Sequence, residues 1–250
     1  MSSSSSSLTR MLALLDAFTP QRYAWTVDDL AEHFKLTPSS TYRYVKELCK
    51  AGLLIRLPRG VYVIGARIVE LESLIRETDP VIKAGAPILH ELAQETGCHV
   101  LLSNVYGEHL MNVAHVRGIE PLQLSYLRGR SLPWFRGAPA KSVLAYWPRA
   151  RVRKLFESTF GSPVNEEEWT AIWTELKAIR KAGYSISDGG LDPDVIGFGV
   201  PIMLEDEVIG TISLVCSRNR AKFLNETAVS IGMKERSSEL TRRLLNSCHE

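Results

Sequence analysis

The residues best suited to chemistry lie between Ser39 and Arg59. Turning about 100° per residue from Thr41 sets Tyr44, Val45 and Leu48 on one side of a helix. Ser39, Arg43, Lys46 and Lys50 fall on the other side. Such a helix, apolar behind and cationic in front, suits the major groove of DNA. Ser39, Ser40, Tyr42 and Arg43 are expected to face base edges, where hydroxyl and guanidinium groups can read donor and acceptor patterns. Lys46, Lys50 and Arg59 are expected to neutralise phosphates. From Lys35 to Arg67 the bases Lys35, Arg43, Lys46, Lys50, Arg56, Arg59 and Arg67 are opposed only by Glu47.

The flanking sequence predicts what positions these groups. In TVDDLAEHFKL, Val27, Leu30, Ala31 and Phe34 recur at helical spacing. Thr37-Pro38 fits a helix start, since threonine caps free N–H groups and proline is tolerated at the first helical position. The second helix runs over about Ser39–Ala51, and Gly52 stops it. Leu53–Leu57 and Val61–Ile64 read as a hairpin joined by Pro58-Arg59-Gly60, a wing with a cation at its tip. Leu8, Met11, Leu12, Leu15 and Phe18 predict an amphipathic helix in front, with Ser7 placed to cap it and residues 1–7 a disordered lead-in. Ala66–Glu77 reads as a linker helix ended by Asp79-Pro80, because the residue before proline is pushed out of the α region. Its apolar side suits pairing with a second copy.

The chain of 250 residues has room for two ordinary domains, and with 45% hydrophobic and 23% charged residues it reads as globular. Net charge is only +2, so the basic segment is local: a small nucleic-acid module joined to a near-neutral remainder. Cys49, Cys98, Cys216 and Cys248 show neither CxxC nor zinc spacing and are expected to be reduced thiols, mostly in the core. No cofactor and no metal is expected. His90, His99, His109 and His115 are scattered, and nothing forms a triad, a P-loop or a metal motif, which argues against an enzyme. No apolar run approaches the ~20 residues of a membrane span, and the serine-rich opening lacks the form of a secretory signal. A cytoplasmic location is expected.

Beyond Val81, helices are expected around Pro87–Thr96, Pro139–Ala145, Ala150–Ser158, Glu166–Lys181 and Asn225–Leu245. Strands are expected at His99–Val105, His109–Val116, Leu122–Leu127, Gly197–Leu204 and Val208–Cys216. Antiparallel strands with outer helices predict an α+β sensor-like domain rather than a parallel nucleotide-binding fold.

At this point the chain resembles the IclR family of bacterial transcription regulators. Three blocks carry the likeness. They are SSTYRYVKEL with its wing and Val63-Ile64-Gly65; Gly129-Arg130-Ser131-Leu132-Pro133 leading to Ala140-Lys141-Ser142-Val143-Leu144-Ala145; and Gly183-Tyr184 with Asp188, Val200-Pro201-Ile202 and Gly210-Thr211-Ile212-Ser213. The resemblance implies a winged helix-turn-helix domain over 1–65, a linker helix over 66–80 and a GAF-like effector-binding domain with an antiparallel sheet over 81–250. It also implies dimers or dimers of dimers on double-stranded operator DNA, responding to small organic acids or aromatic catabolites. The family's ligand loops would map onto Leu132, Gly137, Ala138, Asp188, Gly197, Phe198 and Ser213.

The chain departs from the family pattern in those loops. The polar stretch after Leu-Pro is here Trp134-Phe135-Arg136-Gly137-Ala138. Ala140 stands for a glycine, Gly189 and Gly190 for acids, Gly197 for a polar residue or cysteine, and Val215 for a serine. Aromatic side chains give a pocket rigid apolar walls, and an arginine can fork onto a carboxylate. Tyr126, Trp134 and Phe135, with Arg130 or Arg136, are therefore expected to hold an aromatic or otherwise bulky acid. Glycines 189, 190, 197 and 199 would let the backbone come close to it.

Overall fold

A computed structural model describes residues Ser6–Ser247, and the chain divides between Thr78 and Asp79 into two compact units. The expected disorder of the lead-in lies largely outside the described residues. Ser6, not Ser7, caps the first helix, its side chain accepting from the Thr9 N–H.

The first unit holds α1 (Ser7–Ala13), a 3-10 turn (Leu14–Ala17), β1 (Trp25–Thr26), α2 (Val27–Phe34), α3 (Pro38–Lys50), β2 (Leu54–Arg56), β3 (Val61–Ile64) and α4 (Arg67–Thr78). Local chemistry sets most of these bounds. Thr26 and Asp29 form a capping box on α2, which ends at Lys35 in a left-handed conformation. Thr37 caps α3 by accepting from Ser40 N–H, with Pro38 at the first helical position. Leu14, Trp25, Leu30, Tyr44, Val45, Leu48, Leu54 and Tyr62 form the core. The strands pair in the order β1-β3-β2. The leading amphipathic stretch is not one helix: it tightens into the 3-10 turn after Ala13, so Leu14 and Ala17 are buried while Leu8 and Leu12 stay exposed. Helix α4 buries no residue, and Ile68, Val69, Leu71, Leu74 and Ile75 are exposed.

The second unit holds α5 (Pro80–Thr96), β4 (His99–Tyr106), β5 (His109–Val116), β6 (Ser131–Leu132), α6 (Gly137–Leu144), α7 (Arg149–Phe160), α8 (Glu166–Ala182), β7 (Ser185–Asp188), β8 (Val195–Leu204), β9 (Glu207–Ser217), α9 (Arg218–Ala221) and α10 (Glu226–Ser247). Its antiparallel sheet runs β6-β5-β4-β9-β8-β7. Strand alternation splits the sheet into two faces. Val100, Leu102, Phe198, Val200, Ile212 and Leu214 pack with Ile88, Leu89 and Leu92 of α5 and with Met233 and Leu240 of α10. On the other side α6 lies against β7, β8 and β9, and it joins α7 and α8 in a second core around Val143, Phe156 and Trp169.

Two expectations change here. Helix α5 begins at Pro80, not near Pro87, because the Asp79 carboxylate caps the N–H groups of Val81 and Ile82. Leu122–Leu127 forms no strand: the β5 edge it would need is taken by β6 and by Asn112 backbone bonds to Gly129 and Arg130. Strands β6 and β7 are too short to show a period in the sequence.

Candidate nucleic-acid face and effector cavity

On α3 the division by periodicity is physical. Thr41, Tyr44, Val45 and Leu48 are buried, whereas Ser39, Tyr42, Arg43, Lys46 and Lys50 are exposed and Ser40 is half-buried. Steps of four, three and four residues run from Ser39 through Arg43 and Lys46 to Lys50, one continuous stripe. The serines are not loose: Thr37 Oγ1 donates to Ser40 Oγ at 2.9 Å, and its distance to Ser39 Oγ is 3.3 Å. The Arg43 guanidinium lies 5.6 Å from the Tyr44 ring centre, and Lys50 Nζ pairs with Glu47 at 2.7 Å. That exposed pair contributes little and gives way readily to a phosphate. At the wing tip Arg59 is exposed and left-handed (φ 63°, ψ 18°), an uncommon conformation for a residue with a side chain. The sequence candidates for DNA contact thus lie on the exposed side of α3 and at the wing tip.

In the second unit a cavity lies between the sheet, α6 and the loops on either side. Leu101, Leu124, Leu132, Leu191, Val195 and Val215 supply apolar wall; Asn112, Tyr126, Ser187, Asp192 and Ser213 supply polar groups; Pro139 and Gly197 complete it. About 40 Å³ is open to the centres of water molecules, room for a few waters. Leu101, Ser213 and Gly199 form one row across β4, β9 and β8. Gly199 belongs there because a Cβ would stand 2.8 Å from the Ala138 carbonyl oxygen, so only glycine lets α6 sit this close.

Most polar wall groups are already engaged. Asn112 accepts from Ser103 Oγ at 2.5 Å and donates to the Tyr126 carbonyl at 2.6 Å. Ser187 Oγ accepts from Ala138 N–H at 3.0 Å. The Asp192 carboxylate accepts from Ser125 N–H, tying the two loops together over the cavity. Ser213 differs: its hydroxyl oxygen is buried and has no protein partner. A buried hydroxyl left unpaired costs free energy, so this atom is a natural contact for a bound molecule.

Of the effector candidates, Tyr126, Leu132, Gly197 and Ser213 meet at this cavity. The others lie elsewhere. Trp134 donates Nε1–H to the Glu108 carbonyl at 2.8 Å and packs on Trp147. Phe135, held at φ 66°, turns into the second core, edge-on to Phe156. Arg136 donates Nε–H to the Gly190 carbonyl, and neither it nor Arg130 is on the cavity wall. Gly137 and Ala138 form the start of α6 beside the cavity. Asp188 pairs with Arg218 at 2.7 Å. Phe198 points to the opposite face of the sheet from Gly197, into the core with α5 and α10. The wall carries a carboxylate and no base. Sequence reading missed Leu101, Asn112, Ser187 and Asp192. Inward alternation along the long hairpin was the available signal for the first two; Ser187 and Asp192 carry none.

Beside this wall, His115 Nε2 and His99 Nδ1 are 3.0 Å apart, and His99 Nε2 reaches the Glu120 carbonyl at 2.7 Å. Burial, then the charge of His99 and of Arg117, push His115 down to about 4. Among the described residues no group of three or more His, Cys, Asp or Glu could hold a metal ion. No helix of the described residues is long and apolar enough to cross a membrane.

Comparison with known proteins agrees with both units. Residues 7–58 match the IclR helix-turn-helix domain, and residues 75–238 match the bacterial transcriptional regulator IclR C-terminal family. The HTH-type transcriptional regulator KipR of Bacillus subtilis (strain 168) is 24% identical over 256 residues, covering 98% of this chain and 99% of its own. A crystal structure from Silicibacter sp. TM1040 superposes with a TM-score of 0.80 at 23% identity, covering 96% of each chain. An IclR homologue from Microbacterium hydrocarbonoxydans, complexed with 4-hydroxybenzoate, superposes with a TM-score of 0.76 at 21% identity, over 96% of this chain and 100% of its own. The chain belongs to the IclR family of transcriptional regulators.

Proposed function

Starting from that membership, we propose that the chain is a ligand-responsive regulator, not an enzyme, working in the cytoplasm as a dimer or dimer of dimers. Ser39, Ser40, Tyr42 and Arg43 read bases of an operator, while Lys46, Lys50 and Arg59 hold phosphates. The exposed apolar residues of α4, with Leu8 and Leu12 of α1, support pairing with a second copy. Effector binding biases the arrangement of the paired heads, which requires that the ligand bind one arrangement better than the other.

The observation that carries the effector reading is the unpartnered Ser213 hydroxyl in a mostly apolar wall. It suits a small organic acid with an apolar body, and the relative that holds 4-hydroxybenzoate supports an aromatic one. With no base on the wall, the acid group meets neutral donors such as Ser213 Oγ rather than an arginine fork. The space present is too small for a benzoate ring, so binding of an aromatic acid requires the wall to move apart. Calorimetry with 4-hydroxybenzoate and benzoate against glyoxylate and pyruvate tests this. Binding of the short acids alone overturns the aromatic reading. A mobility shift with the DNA upstream of the chain's own gene tests the head, and no shift at low salt counts against DNA binding.

A further inference from the structure

The buried cysteines of the second unit are more than core filler. The β4–β9 ladder pairs His99 with Val215 and Val100 with Leu214. One step further along the same register, Cys98 stands opposite Cys216. Directly opposed antiparallel residues share a face and have Cα atoms about 4.5 or 5.5 Å apart, both within the span a disulfide needs. Both side chains are buried in the same core cluster.

The surroundings make the two sulfurs unequal. The Cys98 thiol donates to the Thr96 carbonyl at 3.5 Å, and Arg220 donates to that same oxygen through Nε (3.1 Å) and Nη2. The contact from Cys216 and then the Arg220 guanidinium favour the Cys98 thiolate, whereas the neighbouring Cys98 and burial hold Cys216 as a thiol. A thiolate beside a neutral thiol is the pairing that oxidation needs: one nucleophile and one resolving group. Cys98 and Cys216 are each 1% exposed, so an oxidant that reaches them has to be small.

We propose that Cys98 and Cys216 form a reversible dithiol–disulfide site oxidised by small hydroperoxides. The Cys98 thiolate attacks one peroxide oxygen, the O–O bond breaks, and Cys98 sulfenic acid and hydroxide form. The Cys216 sulfur then attacks the Cys98 sulfur, loses its proton and expels a second hydroxide. Two thiols lose two electrons to form one S–S bond, and hydrogen peroxide becomes two waters. Reducing thiols reverse the step by exchange. In a reducing compartment such a bond is transient, as a sensor's is.

The test treats the full chain with hydrogen peroxide, quenches in denaturant with N-ethylmaleimide and maps the peptides by mass spectrometry. The expected product is a linked Cys98–Cys216 peptide that dithiothreitol returns to two alkylatable thiols. In Cys216→Ser the reaction stops at a Cys98 sulfenic acid captured by dimedone, and Cys98→Ser gives neither species. Iodoacetamide labelling of the unmodified chain needs no core substitution. Cys98 should label with a midpoint below the ordinary thiol value, and Arg220→Gln should move that midpoint up by a pH unit or more. Full alkylation of Cys98 and Cys216 after peroxide, or a bridge to another cysteine, overturns the proposal. So does a Cys98 labelling midpoint at or above that of Cys49.

Discussion

The α3 face and the cavity beside α6 are built on opposite terms. The groups of α3 come from one short segment, where steps of three and four residues set which side chains share a face. The cavity wall is gathered from positions as far apart as Leu101 and Val215, joined only by strand pairing and loop closure. On the first face the polar groups are exposed and cationic. In the second they are buried or half-buried, neutral or acidic, and mostly engaged within the protein, with the Ser213 hydroxyl left over. A surface of the first kind tolerates substitution and loses only its own contact. A wall of the second kind transmits a change to its neighbours.

Substitutions should expose that contrast. The largest effect is expected from Gly199→Val, whose added carbons meet backbone of α6 that cannot yield. About 3 kcal/mol of stability should be lost from the second unit, and effector binding with it, while the first unit's fold is kept. Chemical denaturation followed through the Trp147 and Trp169 side of the sheet checks this, and an unchanged midpoint would show that α6 is not so tightly held. Next comes Arg43→Ala, expected to cost about 1–3 kcal/mol in operator binding and to relax sequence preference with no change in stability. Binding titrations on operator and scrambled DNA decide it; equal losses on both would place Arg43 on phosphate instead.

Ser213→Ala should move two quantities in opposite directions. Removing a buried, unpartnered hydroxyl should raise the stability of the free protein by up to about 1 kcal/mol and weaken effector binding several-fold. A loss of stability would mean that the oxygen already has a partner. Lys50→Ala should weaken every DNA sequence alike and lower the slope of affinity against salt by about one unit. An unaltered slope would leave Lys50 with Glu47 alone.

A further effect concerns the acid limb of stability. His115 is held down to about 4 in the folded chain against about 6.5 when unfolded. Between those values the unfolded state binds the extra proton, so stability falls as pH drops from about 6.5 towards 4 and is level above. His115→Gln should flatten this limb of a thermal-melting series, and a limb that stays as steep would assign it to other groups.

The same contrast explains what sequence reading reached. Thr26 with Asp29, Thr37 with Pro38, and the spacing of Tyr44, Val45 and Leu48 act within a few residues, so periodicity and capping placed α2, α3 and the wing close to their true bounds. Trp134, Phe135 and Arg136 sit in the expected loop, yet the left-handed turn at Phe135 sends its ring into the second core, and Trp134 packs on Trp147. Nothing in the neighbouring residues announces that turn. Leu122–Leu127 alternates like a strand and lacks only an edge to pair with, a fact held by β6 and Asn112.

Read alone, the chain's residues specify the amphipathic helix α3, the long hairpins and the α+β class, because helical and strand periods are local properties of hydrophobic burial. Which side chains wall the cavity, that Asp192 closes over it, that no arginine enters it and that Cys98 meets Cys216 follow from strand order and register. Those are pairings between distant segments, selected by the packing of the whole sheet against α5, α6 and α10.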